Sequence, residues 1–150
     1  MEGKVHVQCP SNIAIVKYWG KHGMQLPMNP SLSFTLNNSF TSTEVQFEVL
    51  KDPVDQIISS FHFHGKEEQS FIPKLDQFFE RIQSHFSFLP KLRLAIRSEN
   101  SFPHSSGIAS SASGMGAMAL ILCEIERQMN GGVRDEQFYR KASEVARLGS

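Results

Sequence analysis

The chain has 150 residues, 40% of them hydrophobic and 20% charged, with 12 phenylalanines. That is too apolar for a disordered chain and enough to bury one core, so a single globular unit is expected. Lys plus Arg equal Asp plus Glu at 15 each, so no overall field recruits nucleic acid or a membrane surface, and any anion site has to be local.

Val5 and Val7 alternate with Lys4, His6 and Gln8, and Pro10 is expected to break that run before the mostly apolar residues 13–16, giving two neighbouring strands of which the second ends buried. Lys17 and Lys21 then stand around Tyr18, Trp19 and Gly20. Two ammonium groups and a phenol near one strand end can grip a polyanion, although an exposed strand end with snorkelling lysines accounts for the same residues. Leu32, Phe34 and Leu36 alternate with polar residues, as do Val45, Phe47 and Val49 beyond a turn-like Asn37-Asn38-Ser39, so both runs read as half-buried antiparallel strands. Phe61 and Phe63 suggest a short edge strand before a turn at Gly65-Lys66.

Phe71, Leu75, Phe78, Phe79, Ile82 and Phe86 recur at helical spacing, which predicts a helix within residues 69–86 with Pro73 in its first turn. Leu92, Leu94 and Ile96 alternate with charged residues in a strand that leads into a small-residue loop. A helix from about 108 to 129 follows, apolar on nearly every face between Met115 and Cys123 and stopped by Gly131-Gly132. Asp135 is placed to cap a last helix carrying the stripe Phe138, Ala142, Val145 and Ala146.

Residues 100–116 carry the strongest chemical signal. Side chains are short from 105 to 113, Gly107 can take backbone angles closed to other residues, and the following helix would aim its free N–H groups at an anion. Hydroxyls at Ser105, Ser106, Ser110 and Ser111 add donors, and one of them could serve magnesium. A serine-capped helix after a polar loop is the plainer account. Neither Gly-x-x-x-x-Gly-Lys-Ser/Thr nor Gly-x-Gly-x-x-Gly is present, which excludes those two nucleotide-loop designs.

Cys9 and Cys123 are far apart and lack close metal-ligand partners, which suits a reducing compartment. The first residues have no apolar stretch of a signal peptide and no run approaches 18 apolar residues, so a cytoplasmic, non-membrane protein is expected. His62 and His64 fall on one face of the predicted strand but have no evident third ligand for a metal. His22 and His104 flank the candidate site, and the Gly-x-Ser-x-Gly elbow of a serine hydrolase is absent.

Taken together, two stretches resemble the mevalonate diphosphate decarboxylases, members of the GHMP superfamily of small-molecule kinases. The first motif of that family is close to Pro-x-Asn-Ile-Ala-x-x-Lys-Tyr-Trp-Gly-Lys, matched by Pro10, Asn12, Ile13, Ala14, Lys17, Tyr18, Trp19, Gly20 and Lys21. Residues 27–36 resemble its next strand. Residues 100–114 resemble its phosphate loop, Asn-x-Phe-Pro-x-x-x-Gly-Leu-Ala-Ser-Ser-Ala, with Ile108 where Leu is usual and Ser105 and Ser106 where Ala is frequent.

The resemblance implies an α+β fold, the GHMP-kinase N-terminal domain, with a mixed, mostly antiparallel sheet packed by helices. It implies an ATP- and Mg2+-dependent enzyme that phosphorylates the tertiary hydroxyl of mevalonate 5-diphosphate, after which phosphate and carbon dioxide leave to give isopentenyl diphosphate. By carry-over, Lys17 is catalytic and Tyr18, Lys21 and Ser150 bind substrate. Ser105, Ser106, Gly107, Ile108, Ala109, Ser110 and Ser111 hold ATP phosphates, with magnesium on Ser110 or Ser111, while Trp19 and Asn12 brace the site. The resemblance also implies a possible homodimer.

Family members are about twice as long and place an essential Asp in their second half, whereas Asp52, Asp55, Asp76 and Asp135 match no such position. The chain is therefore expected to be the N-terminal portion of a decarboxylase, lacking its C-terminal domain and inactive alone. A related enzyme acting on mevalonate or its monophosphate is the alternative, as is a non-catalytic phosphate-binding or dimerisation module.

Overall fold

A computed structural model describes residues 1–149. Its strands run through the breaks that the sequence suggests. Strand β1 spans Glu2–Val16 without interruption at Pro10. It lies at the sheet edge, where a missing N–H is tolerated, and a register shift between Pro10 and Asn12 absorbs the proline. A two-residue hairpin follows, β2 (Lys21–His22) with β3 (Leu26–Pro27). The two strands expected on either side of residues 37–39 are one strand, β4 (Leu32–Val49), because β1 pairs along it from Glu2↔Glu48 to Val16↔Leu32 and leaves no room for a turn.

Strand β5 (Ile58–Phe63) turns at His64-Gly65 into β6 (Lys66–Glu67). Both turn residues have positive φ, 48° and 77°. That turn takes His64 off the strand, so His62 and His64 do not share a strand face as the alternation predicts. Helix α1 covers Ile72–Ile82 with proline in its first turn, and short 3-10 turns flank it at Gln69–Phe71 and Gln83–His85. Strand β7 (Leu92–Asn100) leads to α2 (Ser110–Asn130), and α3 (Glu136–Arg147) begins where the Asp135 carboxylate accepts from Phe138 N–H.

The strand order is β1-β4-β7-β5-β6. All neighbours are antiparallel except β5 and β7, which run parallel. Strand β5 is thus interior rather than the expected edge, because β6 covers its outer side. The sheet is mixed and mostly antiparallel, and with three helices the fold is α+β, as the sequence implied.

One core joins the inward face of the sheet (Val5, Val45, Phe47, Leu94, Ile96) to all three helices. Met115, Met118, Ile121, Leu122 and Ile125 on α2 are buried, consistent with a helix apolar on most faces. The far arm of β1 and β4 departs from expectation. Ile15, Val16, Leu32 and Phe34 are 52–62% exposed, because no described helix reaches past the middle of those strands.

On α2, Glu124 is 5% exposed and receives hydrogen bonds from Arg127, Arg134 and Gln128. The Arg127 guanidinium first, then that of Arg134, holds its carboxyl down to about 2 against an ordinary value of 4.5. Its contribution to stability is present above about pH 4.5 and is lost as pH falls from there toward 2. Equilibrium unfolding of Glu124→Gln should show a loss of roughly 2 kcal/mol at pH 7 and a flatter decline across that acid window than the parent chain.

Candidate functional site

Between β7 and α2 the φ angle changes sign at every residue from 105 to 109. Ser105, Gly107 and Ala109 are positive at 61°, 79° and 52°, and the residues between them are not. Such alternation turns successive N–H groups to one side and makes a concave anion seat. Gly107 takes its angle freely, whereas Ser105 and Ala109 hold theirs against a steric cost of about 1–2 kcal/mol each. A Cβ built on Gly107 would meet nothing within 4 Å, so the space in front of the loop is open.

Helix α2 starts at Ser110, two residues later than expected, because Ala109 in its left-handed conformation is the N-cap and has no side-chain cap bond. The amide N–H groups of Ala112 and Ser113 already bond Ala109 O, so the free donors of this helix end belong to the residues just before them. Ser110 and Ser111 sit in this first turn, both on the wall of a cavity of about 210 Å3.

A cation reaches the loop from elsewhere. Lys74 on α1 donates from Nζ to Ser111 Oγ and lines the same cavity. Its sequence position, on the polar side of an amphipathic helix, gives no sign of this. The rest of the cavity wall is mainly apolar, including Phe61, Phe63, Phe71, Ile96 and Met118. His104, one of the two flanking histidines, lies there too, its ring edge-on to Phe63 and Phe71 at 5.3 and 5.7 Å.

The lysine-bearing stretch begins where β1 ends. Lys17, Tyr18 and Lys21 are all exposed, with Lys21 Nζ 5.9 Å from the Tyr18 ring centroid. Asn29, which the sequence did not single out, shapes this turn. Its Oδ1 accepts from Trp19 N–H at 2.6 Å, and its Nδ2 donates to Lys17 O at 3.4 Å and Pro30 O at 2.9 Å. Asn12 braces β1 against β4 through Ser33 and Thr35. Trp19 is 92% exposed and braces nothing among the described residues. At the far end of the chain, Arg147 donates to Met24 O at 2.7 Å and ties α3 to the β2–β3 loop.

The two stretches touch where β1 packs on α2. Ser11 Oγ donates to Ser113 Oγ, one turn into α2, at 3.4 Å. Near it a Cβ on Gly116 would lie 2.6 Å from Cys9 Sγ, so helix and strand need glycine to approach this closely. Lys17 follows Ser11 by six residues, a path of at most about 20 Å. Thus the strand that leads to the lysines packs, at Ser11, against the first turns of α2. His22 lies in the β2–β3 hairpin, and the expectation for Ser150 falls outside the described residues.

Fold and loop together define a GHMP-kinase-like N-terminal domain. The family model for the diphosphomevalonate decarboxylase-like N-terminal domain matches residues 9–150, and the chain belongs to that family. It is 34% identical over 155 residues to diphosphomevalonate decarboxylase of Bos taurus, covering 94% of this chain and 36% of the relative. A crystal structure of mevalonate diphosphate decarboxylase from Staphylococcus aureus superposes with a TM-score of 0.76 at 29% identity, over 100% of this chain and 42% of that one. A third protein, MDDEF in complex with MVAPP, AMPPCP and magnesium, gives 0.71 at 29% identity, over 100% and 42%. The chain therefore spans little more than a third of the bovine relative's length.

Proposed function

We propose that this chain is the phosphate-binding N-terminal part of an ATP-dependent diphosphomevalonate decarboxylase. The observation that supports the reading is the contact of Ser11 with Ser113, which packs the strand leading to Lys17, Tyr18 and Lys21 against the helix that follows a loop of alternating φ. Tyr18 and Lys21 hold the substrate diphosphate, by hydrogen bond and charge. Lys17 stands by the reacting hydroxyl and neutralises charge that develops as the phosphoryl group arrives. Phosphorylation makes the tertiary oxygen a good leaving group, and loss of the carboxyl as carbon dioxide supplies the electron pair as phosphate departs.

ATP phosphates seat on residues 105–111, Lys74 supplies the charge that the loop itself lacks, and the apolar cavity beside it takes the base. The Ser110 and Ser111 hydroxyls are hard oxygen donors that suit magnesium bridging to phosphate oxygens, and one of them is its protein ligand. When bound, that ion neutralises phosphate charge. The complex of MDDEF with MVAPP, AMPPCP and magnesium supports both ligands.

The general base belongs to polypeptide beyond this part. Among the four aspartates, Asp55 and Asp76 lie in a separate groove with Phe79 and Leu89, Asp135 caps α3, and none lines the loop cavity. The isolated chain accordingly binds without turning over. No helix among the described residues is long and apolar enough to cross a membrane, and a cytoplasmic homodimer is the assembly we favour.

The test pairs two measurements. Calorimetry with Mg-ATP and mevalonate 5-diphosphate should show binding to this chain, and a version extended by its natural downstream sequence should release carbon dioxide in an ATP-dependent reaction. Lys17→Ala in the extended protein should lower that rate about a hundredfold. A folded, extended protein that releases none would transfer the assignment to a sister kinase or a binding module.

A further inference from the structure

Strands β1 and β4 pair as far as Val16↔Leu32, and pairing resumes at Lys21↔Pro27 and His22↔Leu26 in the β2–β3 hairpin. These pairs share one register, so the hairpin continues the line of β1 and β4. Between them residues 17–20 and 28–31 lie outside any strand. The cause is at Pro30. Met28 N–H donates to Gly20 O at 2.9 Å, and two residues further along an antiparallel ladder the equivalent bond would run from the N–H of residue 30 to Tyr18 O. Proline has no N–H to give, so the ladder breaks there.

The Asn29 side chain fills the break. Its Oδ1 accepts from Trp19 N–H at 2.6 Å, and its Nδ2 donates to Lys17 O at 3.4 Å and to Pro30 O at 2.9 Å. Backbone groups set the way this amide points, because an N–H only donates and a carbonyl only accepts. One side chain thereby grips the backbone on both sides of Tyr18.

The break also changes what the neighbouring side chains can reach. In a continuous strand residues 18 and 21, three apart, point to opposite faces. Here Lys21 Nζ lies 5.9 Å from the centroid of the Tyr18 ring. The interruption brings an ammonium and a phenol to one side, where both can reach the same anion.

We propose that Asn29 is a positioning residue: it gives the strand break its fixed form, and that form is what makes Tyr18 and Lys21 converge on the substrate diphosphate. The proposal rests on the reading above in which those two residues hold the diphosphate, and adds the residue that sets their geometry. Asn29 acts through the backbone of Lys17 and Trp19 and not by touching substrate.

The experiment is calorimetry on the 150-residue chain with two probes, mevalonate 5-diphosphate and Mg-ATP. Asn29→Ala should weaken mevalonate 5-diphosphate about tenfold, as one charge-assisted hydrogen bond is lost, and leave Mg-ATP unchanged. Asn29→Asp keeps the acceptor for Trp19 N–H and loses both donors, so its affinity should fall between the two; it is the variant measured if alanine does not fold. Adding Pro30→Ala separates position from stability, because the new N–H lets the ladder close and turns residues 18 and 21 to opposite faces. The double variant should regain the melting temperature lost in Asn29→Ala while its affinity for mevalonate 5-diphosphate stays low. Recovery of affinity along with stability would make Asn29 a fold-stabilising residue only and overturn the proposal. Unchanged affinity in folded Asn29→Ala or Asn29→Asp, where Lys21→Ala does weaken the substrate, overturns the positioning role alone. A parent chain that does not bind mevalonate 5-diphosphate, or whose affinity survives Lys21→Ala, overturns the diphosphate reading and the positioning role with it.

Discussion

Gly107→Val should lower the affinity of the chain for Mg-tripolyphosphate about a hundredfold while costing the fold only about 1–2 kcal/mol. Gly107 holds φ at 79°, where a β-branched residue is strained, and it is the central residue of the run in which φ alternates in sign. Forcing that residue back to negative φ turns its neighbours' N–H groups away from the common seat. Two charge-assisted hydrogen bonds lost at about 1.5 kcal/mol each amount to roughly that factor. The fold should lose no more than that backbone strain, because the added side chain itself points into open space. Calorimetry checks the affinity and denaturant unfolding checks the fold. Equal affinity in the variant would remove the loop from the site, and Gly107→Ala should fall between the two.

Phe86→Ala should cost about 4 kcal/mol, among the largest single losses open to this chain. The ring is 0% exposed and lies 5.6 Å from that of Phe88, centroid to centroid. Lys141 on α3 stands over its face, Nζ 4.4 Å from the centroid, and is held there by Glu126 of α2 at 2.7 Å. Truncation therefore opens a cavity and also removes the face on which the ammonium rests, so α3 loses an anchor as well. The drop in guanidinium midpoint at constant slope measures the cost. Lys141→Met in the parent chain should lose about 1 kcal/mol, and much less in the Phe86→Ala background if the two groups are coupled through the ring.

Phe86 also illustrates how periodicity misleads at its end. It completes the apolar stripe that begins at Phe71, yet α1 stops at Ile82 and the chain passes through a 3-10 turn before Phe86. The spacing foretold burial correctly and conformation incorrectly, because burial depends on which face the residue presents and helix ends depend on capping and packing. Pro10 and residues 37–39 teach the same lesson for strands. Local turn and breaker signals lost to pairing between two long strands, since a ladder of inter-strand bonds outweighs a single proline at an edge.

What the sequence determined by itself is the chemistry in each short segment: the small-residue loop with Gly107 at its centre, the Lys17-Tyr18-Trp19-Gly20-Lys21 run, the apolar stretch of α2 from Met115 to Cys123 and the capping Asp135. These depend on side-chain size, charge and backbone freedom, which are local properties. Only the tertiary structure decided what stands beside the loop. Lys74 reaches Ser111 across 37 positions, Thr41 reaches Asn100 across 59, and Ser11 reaches Ser113 across 102. Each is a small or polar residue whose role comes from a partner distant in sequence. Periodicity reports which face a residue occupies, and the packing of β1, β4, β7 and α1 against the first turn of α2 determines what that face meets.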